Sequence, residues 1–177
     1  AASVLTTGNI KADEKDTTNE TNTATESKYA NKAVADIYST TTLNIRKKGS
    51  INAKIVGKMK KGNIATVLKK GSEWSKVRSG NVTGYVKNQY LVFGDEIENF
   101  AKQNVKKVAK VQTETLRVRK KASTDSKIVT LVSEDDKLKV KKQTNDWAKV
   151  KVDGQTGYVS KDYAKVTYSF GKAKSMK

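Results

Sequence analysis

The sequence predicts a mainly β protein, two small barrels in tandem joined by a short helical linker. Three observations carry this expectation. The stretch Trp74-Ser-Lys-Val-Arg-Ser-Gly-Asn-Val-Thr-Gly-Tyr-Val86, followed by Tyr90, returns as Trp147 to Val159 followed by Tyr163. The Thr-Leu-x-(Ile/Val)-Arg-Lys-Lys beginning at Thr42 returns at Thr115, and the offset between the copies is a constant 73 residues. Each copy holds short runs in which apolar and polar residues alternate, separated by Gly, Asn and Ser turns, the mark of small antiparallel sheets. Finally, 177 residues with 36% hydrophobic content suffice for one medium core or two thin ones, and the repeat decides for two.

Taken in order, residues 1–12 read as the end of a secretory signal: small and mildly apolar, closing on Ile10-Lys11-Ala12 before the chain turns polar at Asp13-Glu14-Lys15-Asp16. Residues 13–35 read as a mostly disordered polar segment, since Thr, Asn and charged residues bury too little surface to offset their ordering entropy. Within it, Tyr29 to Ala35 is ambiguous between a short helix and the approach to a first strand.

The first repeat, residues 36–93, reads as five short strands. Leu43 and Ile45 alternate with Asn44 and Arg46, a polar loop runs from Lys47 to Ala53, and Ile55 to Met59 makes a second strand. A turn at Lys60-Lys-Gly-Asn63 leads to Ile64 to Leu68, and Lys70-Gly-Ser72 leads to Trp74 to Arg78, with Ser75 and Val77 on one face and Trp74, Lys76 and Arg78 on the other. Ser79-Gly-Asn81 turns into Thr83-Gly-Tyr-Val86, and Lys87 to Tyr90 reads as one 3₁₀ turn. Strands of this spacing suggest a closed or nearly closed barrel, which would remove exposed edges.

Residues 94–108 differ in kind. Ile97, Phe100, Ala101 and Val105 form a helical stripe, acids open the segment and lysines close it, so a helix packing on a barrel is expected. The second repeat, residues 109–166, restates the pattern with Leu116, Val118, Ile128, Val129, Leu138, Val140, Val150, Tyr158 and Val159 at core positions. It departs at two turns, where Ala122 replaces Gly49 and Asp135 replaces Gly62, so the loops are expected to differ in shape. Residues 167–177 read as a lead into a further module.

Charge narrows the partners. Thirty-six Lys and Arg against 18 Asp and Glu give a formal +18, beyond what solubility needs, which points to nucleic acid, anionic lipid or an anionic wall polymer. Residues 36–93 carry twelve basic and two acidic residues, residues 109–166 fourteen and eight, so the first repeat is expected to attract polyanions more strongly. With no His and no Cys, thiol nucleophiles, Ser-His pairs and common zinc sites are excluded, and no cofactor or metal is expected. Adjacent carboxylates at Asp135-Asp136 and Asp13-Glu14 lack apolar surroundings that would raise a pKa, so no catalytic residue is expected. No run approaches the ~18 apolar residues that span a membrane.

The candidate ligand residues are Trp74 and Trp147, which begin strands beside turns and either line a groove or cap the core. Tyr85 and Tyr158 face the same choice, and the preceding Gly favours packing against backbone. Arg46, Lys47 and Lys48, with Arg119, Lys120 and Lys121, open equivalent loops and serve either as anion contacts or as a solvated basic rim. Tyr90 and Tyr163 are expected to anchor the 3₁₀ turn. Lys137-Leu-Lys-Val-Lys-Lys142 reads as a strand with a lysine face, for anion binding or edge protection.

Leu43-Asn-Ile-Arg46 with Leu116-Arg-Val-Arg119, the Trp-x-Lys-Val of both copies, and the closing Thr-Gly-Tyr-Val with its following Tyr resemble bacterial Src-homology-3-like (SH3b) domains of secreted wall hydrolases. The resemblance covers about two thirds of the chain. Such domains often carry Gly-Pro in the first loop; Lys48-Gly49-Ser50 and Lys121-Ala122-Ser123 lack the Pro. The tail from Thr167 resembles the lead into an NlpC-type cysteine peptidase, whose Cys and His do not occur here. The resemblance implies a noncatalytic, secreted region that targets a hydrolase to peptidoglycan and anionic wall polymer. Its alternatives are a scaffold regulating the protein's own C-terminal catalytic module and a basic tandem barrel for nucleic acid. The last is disfavoured by the signal-like terminus and few aromatics.

Overall fold

A computed structural model describes residues 28–176. The secretory signal and most of the polar segment expected before Lys28 lie outside the described residues. The chain divides into two compact units, one holding residues 28–102 and 171–176, the other residues 103–170.

In the first unit, β1 (Lys32–Ala35), β2 (Leu43–Arg46), β3 (Ile55–Met59), β4 (Ile64–Lys70), β5 (Trp74–Ser79) and β6 (Val82–Lys87) precede a 3₁₀ turn at Asn88–Tyr90, then β7 (Leu91–Phe93). The helix α1 (Glu96–Asn104) follows, and β15 (Lys174–Ser175) returns from the tail. The sheet order is β15-β3-β2-β6-β5-β4-β1-β7. The expected strands therefore form, with three more around them. Of Tyr29 to Ala35, the last four residues, Lys32–Ala35, form a strand after a turn, with Ala33 and Ala35 alternating into the core with Leu43, Ile45, Met59, Val77 and Val86. The second unit repeats this with β8 (Lys107–Val111), β9 (Thr115–Arg119), β10 (Ile128–Ser133), β11 (Lys137–Gln143), β12 (Trp147–Val152), β13 (Gln155–Ser160) and β14 (Ala164–Tyr168), in the order β10-β9-β13-β12-β11-β8-β14. Its core gathers Ala109, Val111, Leu116, Val118, Leu138, Val150 and Val159, whereas Ile128, expected in the core, is exposed because β10 is an edge strand.

The hydrogen-bonded order in each unit runs from one edge strand to another, so the expectation of fully removed edges is corrected. The edge of β3 is covered by the tail. Lys174 pairs with Lys58 and Ser175 with Gly57, Met176 N donates to Val56 O at 3.1 Å, and Ile64 N donates to Gly171 O at 2.9 Å. Buried Ser79 supplies the latch, its Oγ donating to Ile64 O at 2.6 Å and accepting from Ala173 N at 2.9 Å. A Cβ on Gly57 would come within 2.9 Å of Lys174 O, so glycine lets the tail approach. The second repeat has Thr130 and Val152 at the matching positions, and β10 is an edge there.

The two departures between repeats prove mild. Gly62 has φ 85° and Asp135 φ 71°, the same left-handed turn. The loops holding Gly49 and Ala122 make matching bonds, Ala53 N to Ser50 O and Ser126 N to Ser123 O, both 3.1 Å. The expectation of differently shaped loops is thus corrected at the level of backbone. Of the helical stripe, Ile97, Phe100 and Ala101 are buried in α1, with Glu96 and Glu98 in its first turn and Lys102 in its last. Lys28 Nζ lies 2.8 Å from Glu98 Oε1.

Candidate functional site

Each unit carries a groove at the same place. In the first, Arg46, Ile51, Lys61, Trp74, Lys87 and Tyr90 line a depression of about 680 Å³, with Tyr38 at its mouth. In the second, Arg119, Thr124, Trp147, Ser160 and Tyr163 line one of about 320 Å³. The repeat offset maps Arg, Trp and Tyr of one groove onto Arg, Trp and Tyr of the other.

The scaffold dictates this clustering. Arg46 ends β2 and its Nη1 donates to Ala53 O at 2.9 Å, while Arg119 Nη1 donates to Ser126 O at 2.9 Å. Each guanidinium thus clamps its loop and presents its remaining donors beside the groove. The loop in turn lies against the Trp, since a Cβ built on Gly49 would sit 3.1 Å from Trp74 Cβ. Both Trp residues are half-buried and outside the hydrophobic clusters, one edge toward the groove.

Gly84 and Gly157 bring β6 close against β2 and β13 close against β9. A Cβ on Gly84 would lie 2.5 Å from Arg46 O, and one on Gly157 2.5 Å from Val118 Cγ1. This approach sets Tyr85 opposite Arg46 and Tyr158 opposite Arg119 in the sheet. The glycine therefore serves the strand contact, and the half-buried tyrosines lie outside the groove linings. Lys47, Lys48, Lys120 and Lys121 are exposed and also lie outside those linings.

Of the sequence candidates, the structure brings together Arg46 with Trp74 and Arg119 with Trp147. It adds Tyr90 and Tyr163, 39% and 53% exposed at the groove mouths, which the sequence reading gave to the 3₁₀ turn. Their repetition at the constant offset was the available signal. Lys61, half-buried under the first groove, gave none, because one lysine in a basic turn looks like its neighbours.

The grooves differ in chemistry. The first has Asn44, Ile51 and Lys87 where the repeat offset puts Arg117, Thr124 and Ser160 in the second, Lys61 lines the first alone, and each holds one acid, Asp36 in the first and Asp162 in the second. The supports differ too. Ser75 Oγ donates to Asn88 Oδ1 at 2.7 Å, and Asn88 Nδ2 donates to Gly71 O at 2.8 Å. The second unit has Ala148 and Lys161 instead, with Lys161 Nζ reaching Thr144 O at 2.9 Å. Larger and with two lysines in the first unit, smaller and with two arginines in the second, the grooves suit related but unequal ligands.

The family model described as bacterial SH3 domain matches residues 41–92 and 114–165, together more than half of the chain. Over 127 residues the chain is 30% identical to YrvJ of Bacillus subtilis (strain 168), provisionally assigned as an N-acetylmuramoyl-L-alanine amidase; the match covers 68% of this chain and 24% of that protein. The chain thus spans about a quarter of the relative's length. Among solved structures it is similar to an NlpC/P60 family protein from Bacillus cereus ATCC 10987, at 14% identity and TM-score 0.34, covering 78% of this chain and 57% of that one. It is also similar to NlpC2 from Trichomonas vaginalis, at 12% identity and TM-score 0.30, covering 76% and 47%.

Proposed function

The chain belongs to the bacterial SH3 domain family, and on that premise we propose that it is a noncatalytic, secreted region that binds the bacterial cell wall and holds a peptidoglycan hydrolase at its substrate. The observation that carries the proposal is the duplicated Arg, Trp and Tyr groove. A half-exposed indole and phenol offer an apolar wall, and the loop-clamped guanidinium offers donors for a carboxylate such as a wall peptide carries. Similarity to a protein assigned as an amidase supports a cell-wall role. Two weak sites on one chain gain from linkage when both engage, because the first contact raises the effective concentration for the second.

Replacing both tryptophans by alanine tests this. The double variant is expected to lose most sedimentation with purified walls, by about tenfold or more, if each indole contributes the ~2 kcal/mol of an interface anchor. Unchanged sedimentation would sink the groove assignment. The docked tail supports a second reading, in which the first unit also restrains a catalytic module that follows it. Comparing soluble-muropeptide turnover by a full-length hydrolase with and without these domains separates the two, since a targeting region leaves that rate unchanged.

A further inference from the structure

We propose that a lysine array on the outer face of the second unit is a binding surface for a linear phosphate-bearing polymer, separate from the groove around Trp147. The proposal rests on the wall-binding reading and assigns its anionic part to one face of one unit. In the sheet register, Lys165 of β14 stands opposite Lys110 of β8, and Lys110 opposite Lys137 of β11. Two residues along β11, Lys139 stands opposite Lys151 of β12. Residues directly opposed project from the same face, and Lys137 and Lys139 share that face by the two-residue alternation. All five are exposed, and none lines the groove.

Such a face is costly to the sheet. Like charges directly opposed destabilise a strand pair, and Asp135, 3.7 Å from Lys110 Nζ, offsets one of them. The fold itself does not ask for lysines here. In the first unit the same register positions hold Val92, Val34 and Ile64, then Thr66 and Arg78. The second unit has fewer net charges than the first, so arrangement and not total charge singles it out.

The geometry points to the ligand class. Strands about 4.8 Å apart and residues nearly 7 Å apart along a strand present the ammonium groups as a grid, on which successive anions of an extended polymer meet separate lysines. Lysine is a mobile point charge, suited to a flexible polyanion more than to one bidentate group. The registered neighbours within the array are Val108 and Thr167, which offer no ring on which a base could stack. A phosphate polymer without bases therefore fits better than single-stranded nucleic acid.

The test compares the full chain with a Lys137→Gln, Lys139→Gln, Lys151→Gln variant. A matched Lys54→Gln, Lys58→Gln, Lys60→Gln variant of the first unit removes the same charge. Binding of linear inorganic polyphosphate is measured across a salt series, with circular dichroism confirming the folds. The array variant is expected to lose about tenfold or more in affinity, with a salt slope shallower by roughly two to three, and the matched variant much less. Equal losses in both variants, or none in the array variant, overturn the proposal. Tighter binding of an oligodeoxyadenylate than of polyphosphate through the same lysines overturns the ligand class. Sedimentation with purified walls, intact and stripped of anionic polymer, runs alongside. Failure of the wild-type chain to bind either wall defeats the wall reading, while the polyphosphate result still judges the lysine face.

Discussion

Gly84 and Gly157 show how a single residue decides this fold. At both, a methyl group would enter a facing strand, its Cβ 2.5 Å from Arg46 O in one case and from Val118 Cγ1 in the other. Neither glycine has positive φ, so the demand is for space alone. Gly84→Ala and Gly157→Ala are each expected to destabilise their own unit by about 1–3 kcal/mol through overpacking, read as a lower urea midpoint. An unshifted midpoint would mean that the facing strands give way. The Thr-Gly-Tyr-Val motif was legible in the sequence, but its reason was not. Sequence reading assigned the space to the tyrosine ring, and only the backbone of Arg46 and the side chain of Val118 explain it. Titration at residue scale is equally plain. The chain has no His, and among the described residues a clear shift is at Tyr29, whose phenol is pushed up by burial, with Lys28 lowering it and Glu98 raising it. A raised acid pKa favours the protonated phenol in the folded state. That stability is fully present below the ordinary value near 10 and is lost as pH rises through the folded value. Stability measured from pH 6 to 8 is therefore expected to be nearly flat; a pronounced slope would contradict this account.

Among the elements, β15 and the strand it covers carry the main difference between the repeats. Ser79, Gly57 and Asn63 in the first unit correspond to Val152, Thr130 and Asp136 in the second. The first two accommodate the tail through the Ser79 Oγ bonds and the close approach at Gly57. Ser79→Ala removes the partner of Ile64 O and Ala173 N together, at a cost of about 1–3 kcal/mol for groups left unsatisfied. The expected outcome is faster amide exchange at Ala173 with exchange in the second unit unchanged; equal protection in the variant would show that strand pairing alone holds the tail. The helix α1 was predictable because its stripe, acids and lysines agree with one another. The tail was not, since Lys174-Ser175 has no strand pattern of its own and is extended because β3 offers a free edge.

At the scale of the molecule, two units on one scaffold have diverged at their surfaces while keeping their cores. Trp74 and Trp147, Arg46 and Arg119, Tyr90 and Tyr163 recur, while Ile51 and Lys87 of one groove correspond in the repeat to Thr124 and Ser160 of the other. The predicted loss of wall binding in the double tryptophan variant belongs here, because linkage makes the two grooves act together. Removing one indole is expected to leave most of the loss to the first groove, which is larger and more basic.

The sequence by itself determined the duplication, the five central strands of the repeat and the helix. These follow from local alternation, turn residues and charge, which act within a few residues along the chain. Only the tertiary structure decided that Tyr90 and Tyr163 join Arg and Trp while Tyr85 and Tyr158 do not, that the tail closes one sheet edge, and that five lysines align across four strands. Each of these depends on register between segments distant in sequence, and register is set when the cores pack.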